Sequence, residues 1–419
     1  MSTPTDRAMI IRFCGYTTWR NLRFFEPFFV LFLLLQLDLS YVEIGTLMAY
    51  EKILTGALES PLGAITDRWG LRRGLITMFM LTALAYALFG YAAAAATPLP
   101  WIWIGLSLSG LGEALRSGTH KAIMLDWLDR RNQTDRATAV IGLTRVFSKT
   151  SGGIAAIAGG FMVWHFASFT PLFWASACVC LIGAAWIVSY PPETEGQWSR
   201  HANDPSDPSQ DSPKWSRQIR QLFASPGLVT LLLASIIFET QFKLAMTYLQ
   251  PYLAKSLGQY DMTVIGGSGA ILIGSYYLAQ GLLAGLASSL STTLEKTAGN
   301  RERALRIAYT LAVLSLIIAA TGIFLNLAIG GIIALLLLAV LQNARRPIFV
   351  ARLNAFMDKY QRATTLSIES QARSFLYAAL AIISGFVADH AGLAATFALL
   401  AAIATIGLAL QWRCHHDPA

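Results

Sequence analysis

Thirteen ionisable side chains interrupt stretches otherwise apolar enough to lie in lipid: Arg20, Arg23, Glu26, Glu51, Lys52, Glu113, Arg116, Arg145, Lys149, Glu239, Lys243, Glu369 and Arg373. A charge at the centre of a membrane helix costs about 2.5 to 3.5 kcal/mol even on lenient insertion scales, so a set this large must be paired or line water. The chemistry such residues offer is ionic. Arg23 with Glu26 and Glu369 with Arg373 stand one helical turn apart, as internal ion pairs do. Ser235, Glu239, Lys243, Thr247 and Gln250 form a polar stripe at steps of three and four, and Ser109, Glu113, Arg116 and His120 form another. Each pair is either a structural salt bridge or a place where a proton or substrate competes for one partner.

Arg145 and Lys149 break this pattern, because no carboxylate in their own stretch neutralises them. Either Glu26 and Glu113 do so from other helices, or an anionic substrate does. Counting the thirteen groups gives eight basic against five acidic, a positive tilt that favours an anion. Protonation of Glu51 or Glu113, or snorkelling of some arginines, is the opposing account. Substrate contacts are expected at Arg23, Arg116, Arg145, Lys149, Lys243 and Arg373. Proton coupling needs a carboxylate buried in one state and wetted or paired in another. Glu26, beside Pro27, and Glu113 are the first candidates; Glu51 is third, with Lys52 expected to project elsewhere. Glu239 and Glu369 complete the charge-pair set, and no oxygen cluster suggests sodium coupling.

The elements that must carry these residues are membrane spans. With 55% hydrophobic and 13% charged residues and a mean hydropathy of +0.51, the chain is too apolar for a soluble protein of its length. Twelve stretches are long enough to cross a bilayer, near residues 11 to 37, 42 to 62, 74 to 96, 100 to 121, 138 to 162, 170 to 190, 227 to 252, 263 to 288, 305 to 326, 329 to 350, 364 to 387 and 393 to 412. Spans 3, 6, 9 and 12 contain no Asp, Glu, Lys or Arg in their interiors, so the charged spans 1, 2, 4, 5, 7 and 11 are expected to face inward. The polar segment from about Pro191 to Arg220, which contains Asn203 to Ser209, reads as a linker. The organisation is therefore an N-terminal six-helix bundle over 1–190, a cytoplasmic linker over 191–224 and a C-terminal six-helix bundle over 225–419, an all-α membrane protein of twelve transmembrane helices.

The net charge of +8 has a topological explanation. Arg7, Arg68, Arg72, Arg73, Arg130, Arg131, Arg136, Lys296, Arg301, Arg303 and Arg352 are among the basic residues at one set of span ends, while the other set offers only Lys255. This positive-inside pattern places both termini in the cytoplasm of an inner-membrane protein. No basic segment is interleaved with stacking aromatics, which argues against nucleic acid. Arg12, Arg20 and Arg23 interrupt the first apolar region, so no cleavable signal is expected. Cys14, Cys178, Cys180 and Cys414 fit neither a disulfide framework nor a zinc pattern, and Cys414-His415-His416 reads as a tail rather than a metal site. No phosphate-binding loop or activated nucleophile appears, so neither ATP hydrolysis nor another catalysed reaction is expected, and no cofactor.

One connector carries a motif: Gly63-Ala-Ile-Thr-Asp67-Arg68-Trp-Gly70-Leu-Arg72-Arg73. Gly63 suits close helix approach, Asp67 can accept from a helix N-terminus, and the arginines supply forked donors. This stretch resembles the signature between the second and third helices of the major facilitator superfamily. Glu59-Ser-Pro61-Leu-Gly63, Arg116-Ser117-Gly118 through Asp126, and Arg362-Ala-Thr364-Thr365-Leu-Ser367 extend the resemblance over nearly the whole chain. It implies two six-helix bundles, spans 3, 6, 9 and 12 outside, and an inner gate at Gly63, Asp67, Arg68, Gly70 and Arg72. In that gate Asp67 would brace the start of span 11 near Thr364 and Thr365, and Arg72 would pair with Asp126. Leu71 stands where an arginine is usual, which weakens the role of Arg72. A second, eroded copy around Glu295 to Arg303 has no acidic residue matching Asp67, so an asymmetric gate is expected.

The reading is a secondary transporter working by alternating access, with a small anionic or zwitterionic organic solute bound between the halves and protons as the coupling ion. The alternatives are a multidrug or metabolite exporter with a mainly apolar cavity, and a membrane receptor or scaffold that transports nothing.

Overall fold

A segment in lipid must satisfy its own backbone hydrogen bonds, and this chain does so with helices. The computed structural model describes residues 4–195, 226–256, 268–356 and 362–413. The helices are α1 (Pro4–Asn21), α2 (Tyr41–Trp69), α3 (Leu71–Ala92), α4 (Pro98–Arg116), α5 (Thr119–Asp129), α6 (Ala137–Phe166), α7 (Thr170–Val188), α8 (Pro226–Ser256), α9 (Ala270–Ala298), α10 (Arg301–Phe324), α11 (Ala328–Ala355) and α12 (Arg362–Arg413). Among the described residues, eight helices are apolar and long enough to cross a membrane. The last runs from Ser367 to Arg413 and includes the non-helical Gly392, φ +80°, so it holds spans 11 and 12. Spans 1, 2 and 4 are not among the eight, being interrupted or charged.

Two interruptions were not expected. Span 1 is not one helix: α1 stops at Asn21, and the chain resumes through a 3-10 turn at Glu26–Phe28, one turn at Phe29–Leu31 and a π turn at Phe32–Gln36. Pro27 lies in this break and supplies no backbone donor to a continuous helix. Span 4 is divided at Ser117 and Gly118, where φ is +76°, so the stripe from Ser109 to His120 is shared between α4 and α5.

The chain forms two compact units, one of residues 1–37, 53–207 and 260–282, the other of residues 38–52, 208–259 and 283–419. Helices α2 and α9 are each divided between the two units. Small residues explain the exchange. In the first unit, a Cβ on Gly160 would stand 2.5 Å from the Ala270 carbonyl oxygen, and one on Gly274 2.5 Å from that of Ala156, so α6 and α9 touch backbone to backbone. In the second, Gly45 of α2 meets the Ala381 carbonyl and Gly385 of α12 meets that of Tyr41 in the same way.

Within the first unit α3 packs on α4 and α7, and α1 on α6 and α7. The broken end of span 1 is embedded in aromatic rings, with centroid separations of 4.6 Å for Phe25 with Tyr86, 4.6 Å for Phe32 with Phe173 and 5.1 Å for Phe25 with Phe173. Such contacts fix the unwound segment through buried apolar area and ring geometry. In the second unit α8 packs on α12 and α11, and α10 on α11 and α12.

Candidate functional site

The break in span 1 decides how its charges are presented. The Phe24 N–H donates to the Ser176 hydroxyl oxygen at 3.1 Å, and that hydroxyl donates to the Leu172 carbonyl at 2.7 Å. Ser176 is fully buried, and a Cβ on Gly159 would collide with the Phe24 carbonyl. Helices α6 and α7 therefore accept the unwound backbone that a membrane interior would otherwise penalise.

Above the break, Arg20 donates to Glu113 Oε2 at 3.0 Å and Arg116 Nε donates to the same oxygen at 2.9 Å, while Arg116 Nη2 bonds Glu113 Oε1. Glu113 is clamped by two guanidinium groups and is not available to Arg145 or Lys149. Arg23 donates to the Arg20 carbonyl at 3.2 Å. Unwinding removes the one-turn relation with Glu26, and no carboxylate lies within ion-pair distance of Arg23 among the described residues. Arg145 and Lys149 also make no ion pair there; Glu26 is the acidic group acting on Lys149 through space. His120 does not join the ionic stripe. It is buried, stacked on Tyr16 with ring centroids 3.7 Å apart, and 3.4 Å from the Tyr190 hydroxyl.

The second unit builds a larger cluster, centred on two residues absent from the sequence reading. Arg345 has a side chain with 0% exposure and donates to Glu239 at 2.9 Å. It also bonds Tyr309 at 3.2 Å, and its guanidinium lies 4.3 Å from the Phe238 ring centre and 5.4 Å from that of Phe349. Arg346 bridges both carboxylates, 2.8 Å from Glu369 and 3.3 Å from Glu239. Ser235 donates to Glu369 at 3.0 Å. Arg373 is the loosest member, 3.9 Å from Glu369 and 4.0 Å from Glu239, with a hydrogen bond of 3.2 Å to the Ser370 hydroxyl. Three guanidinium groups thus surround two carboxylates.

Arg345 and Arg346 fall inside the span expected at 329 to 350, where the test that selected the other thirteen groups applies to them equally. Including them changes the balance from eight against five to ten against five. Elsewhere on α8, Thr247 meets the Tyr377 hydroxyl at 3.1 Å, and Lys243 is partly exposed. Lys52 does not project away from its neighbour: its ammonium is 3.1 Å from Glu51.

Gly70 adopts φ +116°, a left-handed turn that requires glycine. Arg72 donates to the Ile187 carbonyl at 3.3 Å and to that of Val188, binding the end of α7. Asp126 is paired instead with Arg130 at 2.8 Å, the residue that caps the C-terminal end of the same helix. A Cβ on Gly63 would meet nothing within 4 Å, so Gly63 mediates no close approach. Asp67 and Arg68 are exposed, and Asp67 makes no hydrogen bond among the described residues. The side chain of Thr364 and the segment Cys414-His415-His416 lie outside the described residues.

The family model for the Major Facilitator Superfamily matches residues 8–368. The chain belongs to the major facilitator superfamily. Among solved structures, a bacterial homolog of the human lysosomal transporter Spinster, in an inward-facing and unoccupied conformation, superposes with a TM-score of 0.71 at 15% identity, covering 100% of each chain. A D-xylose–proton symporter gives 0.72 at 12% identity, with 97% of each chain covered. The nucleoside transporter NupG gives 0.67 at 11% identity, again with 97% of each covered. At such identities the likeness is one of fold. No curated protein matches the chain by sequence. The superfamily chain is thus an all-α, multi-pass membrane transporter of twelve helices in two six-helix bundles.

Proposed function

We propose that this member of the superfamily moves a small organic anion or zwitterion by alternating access, with guanidinium groups as the selecting elements. One observation carries the reading: both clusters hold more guanidinium groups than carboxylates. Glu113 is held by Arg20 and Arg116, with Arg23 bonded to the Arg20 carbonyl beside them; around Glu239 and Glu369 stand Arg345, Arg346 and Arg373. Uncompensated cations in a low-dielectric interior favour an incoming anion. Arg23 and Arg373 are the best substrate contacts, because Arg116, Arg345 and Arg346 are committed to carboxylates. Arg145 and Lys149 add positive charge on α6.

Proton coupling is assigned to Glu26. A carboxylate held by two guanidinium groups, as Glu113 is, keeps its charge unless both partners leave. Glu26 sits in the unwound segment with its side chain exposed, where a change of state can alter its solvation. The transport halves of this proposal are 1–190 and 225–419, joined by a linker at 191–224, in an inner membrane with both termini cytoplasmic. Its partners in this proposal are the substrate, protons and membrane lipid, not nucleic acid, and no covalent step is assigned to it. Full internal pairing of Arg20, Glu113 and Arg116 favours a second reading, an exporter whose ions are structural and whose cavity selects by shape.

The test is uptake into proteoliposomes with an imposed pH gradient, for the parent, Glu26→Gln, Arg145→Ala and Arg373→Gln, over a panel of organic anions and cations. The proposal expects anions only, with accumulation lost in Glu26→Gln and apparent affinity lowered in the other two. Identical transport of both classes by all four proteins leaves the exporter.

A further inference from the structure

Helix α2 is 29 residues long, about 43 Å at 1.5 Å per residue, and the end remote from Asp67 is capped in an unusual way. A helix begins with backbone donors that have no partner within it. Here Ser40-Tyr41-Val42-Glu43 forms a capping box: the Ser40 N–H donates to Glu43 Oε2 at 2.8 Å and the Glu43 N–H to the Ser40 hydroxyl at 3.3 Å. The regular ladder starts with the Ile44 N–H on the Ser40 carbonyl at 3.0 Å. The N–H groups of Tyr41 and Val42 remain. Asp389 of α12 takes both, one on each oxygen: Tyr41 N–H to Oδ1 at 2.8 Å and Val42 N–H to Oδ2 at 2.9 Å. Every donor of the first turn is therefore satisfied, half locally and half by a residue nearly 350 positions away.

The surrounding contacts make this arrangement conditional on α2 and α12 lying together. Gly385 lies one turn before Asp389 and against the Tyr41 carbonyl, and Gly45 lies one turn after Tyr41 and against the Ala381 carbonyl. The Tyr41 ring lies 5.9 Å from that of Tyr248, whose hydroxyl bonds Ser384 at 3.3 Å. Sliding or separating the two helices would break the carboxylate's two bonds before the backbone contacts could be replaced. The negative charge also favours a helix N-terminus through the macrodipole.

We propose that Asp389 is a latch holding the remote end of α2 on α12 in this conformation, and that opening this end for substrate requires the carboxylate to release both N–H groups. The inference rests on alternating access as the transport mode and is independent of the cargo's charge. A helix-capping acceptor is worth about 0.5 to 2 kcal/mol, so its loss corresponds to about a 2- to 30-fold change in the closed-to-open ratio.

The test is pulsed-electron-spin distance measurement on the full chain in lipid nanodiscs, with its four native cysteines replaced and labels at Asp38→Cys, just before α2, and Leu327→Cys, just before α11, which lie in the same compact unit as Asp389. Asp389→Ala should raise the long-distance population by that factor. Asp389→Asn, which keeps one neutral acceptor, should give a smaller rise and serves if the alanine variant does not fold. Gly385→Ala, which pushes on the Tyr41 carbonyl, should move it in the same direction. Distance distributions equal to the parent's in Asp389→Asn and Gly385→Ala would overturn the latch. Since no cargo enters the measurement, failure of the anion proposal leaves it untouched, and failure of the latch leaves the anion proposal untouched.

Discussion

Arg345 and Arg373 stand in the same cluster but should respond oppositely to substitution. Arg345 is fully enclosed and tied to Glu239, so Arg345→Met leaves a carboxylate short of its counter-ion. Breaking a buried pair from one side typically costs about 3 to 5 kcal/mol, while replacing both partners is far milder. Thermal melting should therefore drop sharply in Arg345→Met and recover in part in the double variant with Glu239→Gln; equal melting of single and double variants would show that the pair carries no such coupling. Arg373 makes only long contacts to either carboxylate, so Arg373→Gln should leave melting close to the parent's and raise KM for the anion about tenfold, the equivalent of roughly 1.4 kcal/mol. A large melting loss with unchanged KM would make Arg373 structural.

At the scale of elements, the backbone of the break in span 1 is accommodated by one hydroxyl and one missing Cβ, within the aromatic packing around Phe25 and Phe32. Ser176→Ala leaves the Phe24 N–H without its acceptor, a loss of about 1 to 3 kcal/mol for a buried donor, and Gly159→Ala drives a methyl group into the Phe24 carbonyl. Both should lower the melting temperature and slow transport; Ser176→Thr, which keeps the hydroxyl, should retain more activity than either. The existence of this element was legible in the sequence, since apolar length and the charges at Arg20, Arg23 and Glu26 mark a functional span. Its unwinding was not. Pro27 hinted at a break, but the acceptor, Ser176, lies some 150 residues on and only tertiary contact shows it. Arg345 and Arg346 were legible by the same charge test that found Glu239 and Glu369. Pairing across helices was not: spacing along one helix suggested Glu369 with Arg373, whereas Arg346 from α11 is the closer partner. Likewise Asp126 looked like a partner for Arg72, and a residue one turn away on its own helix took it.

For the whole molecule, the charge pattern along the chain predicts orientation as well as fold. Impermeant thiol reagents added outside intact cells should label Leu327→Cys, in the connector between α10 and α11, and leave Thr297→Cys, near the end of α9, unlabelled until the membrane is opened. The reverse result would invert the topology and with it the placement of the Asp67 connector in the cytoplasm. The division of α2 and α9 between contact units accompanies glycine-to-carbonyl approaches that no local pattern encodes.

Selection of a negatively charged cargo by unmatched guanidinium groups is the property on which the proposed function turns. It is tested most directly by counterflow in proteoliposomes, comparing the parent with Arg23→Gln and Arg373→Gln over matched pairs of organic anions and cations of equal size. The expected result is exchange of anions only by the parent, with a weaker apparent affinity in each variant and no gain of cation exchange. Exchange of cations by the parent, or unchanged anion affinity in both variants, would contradict it.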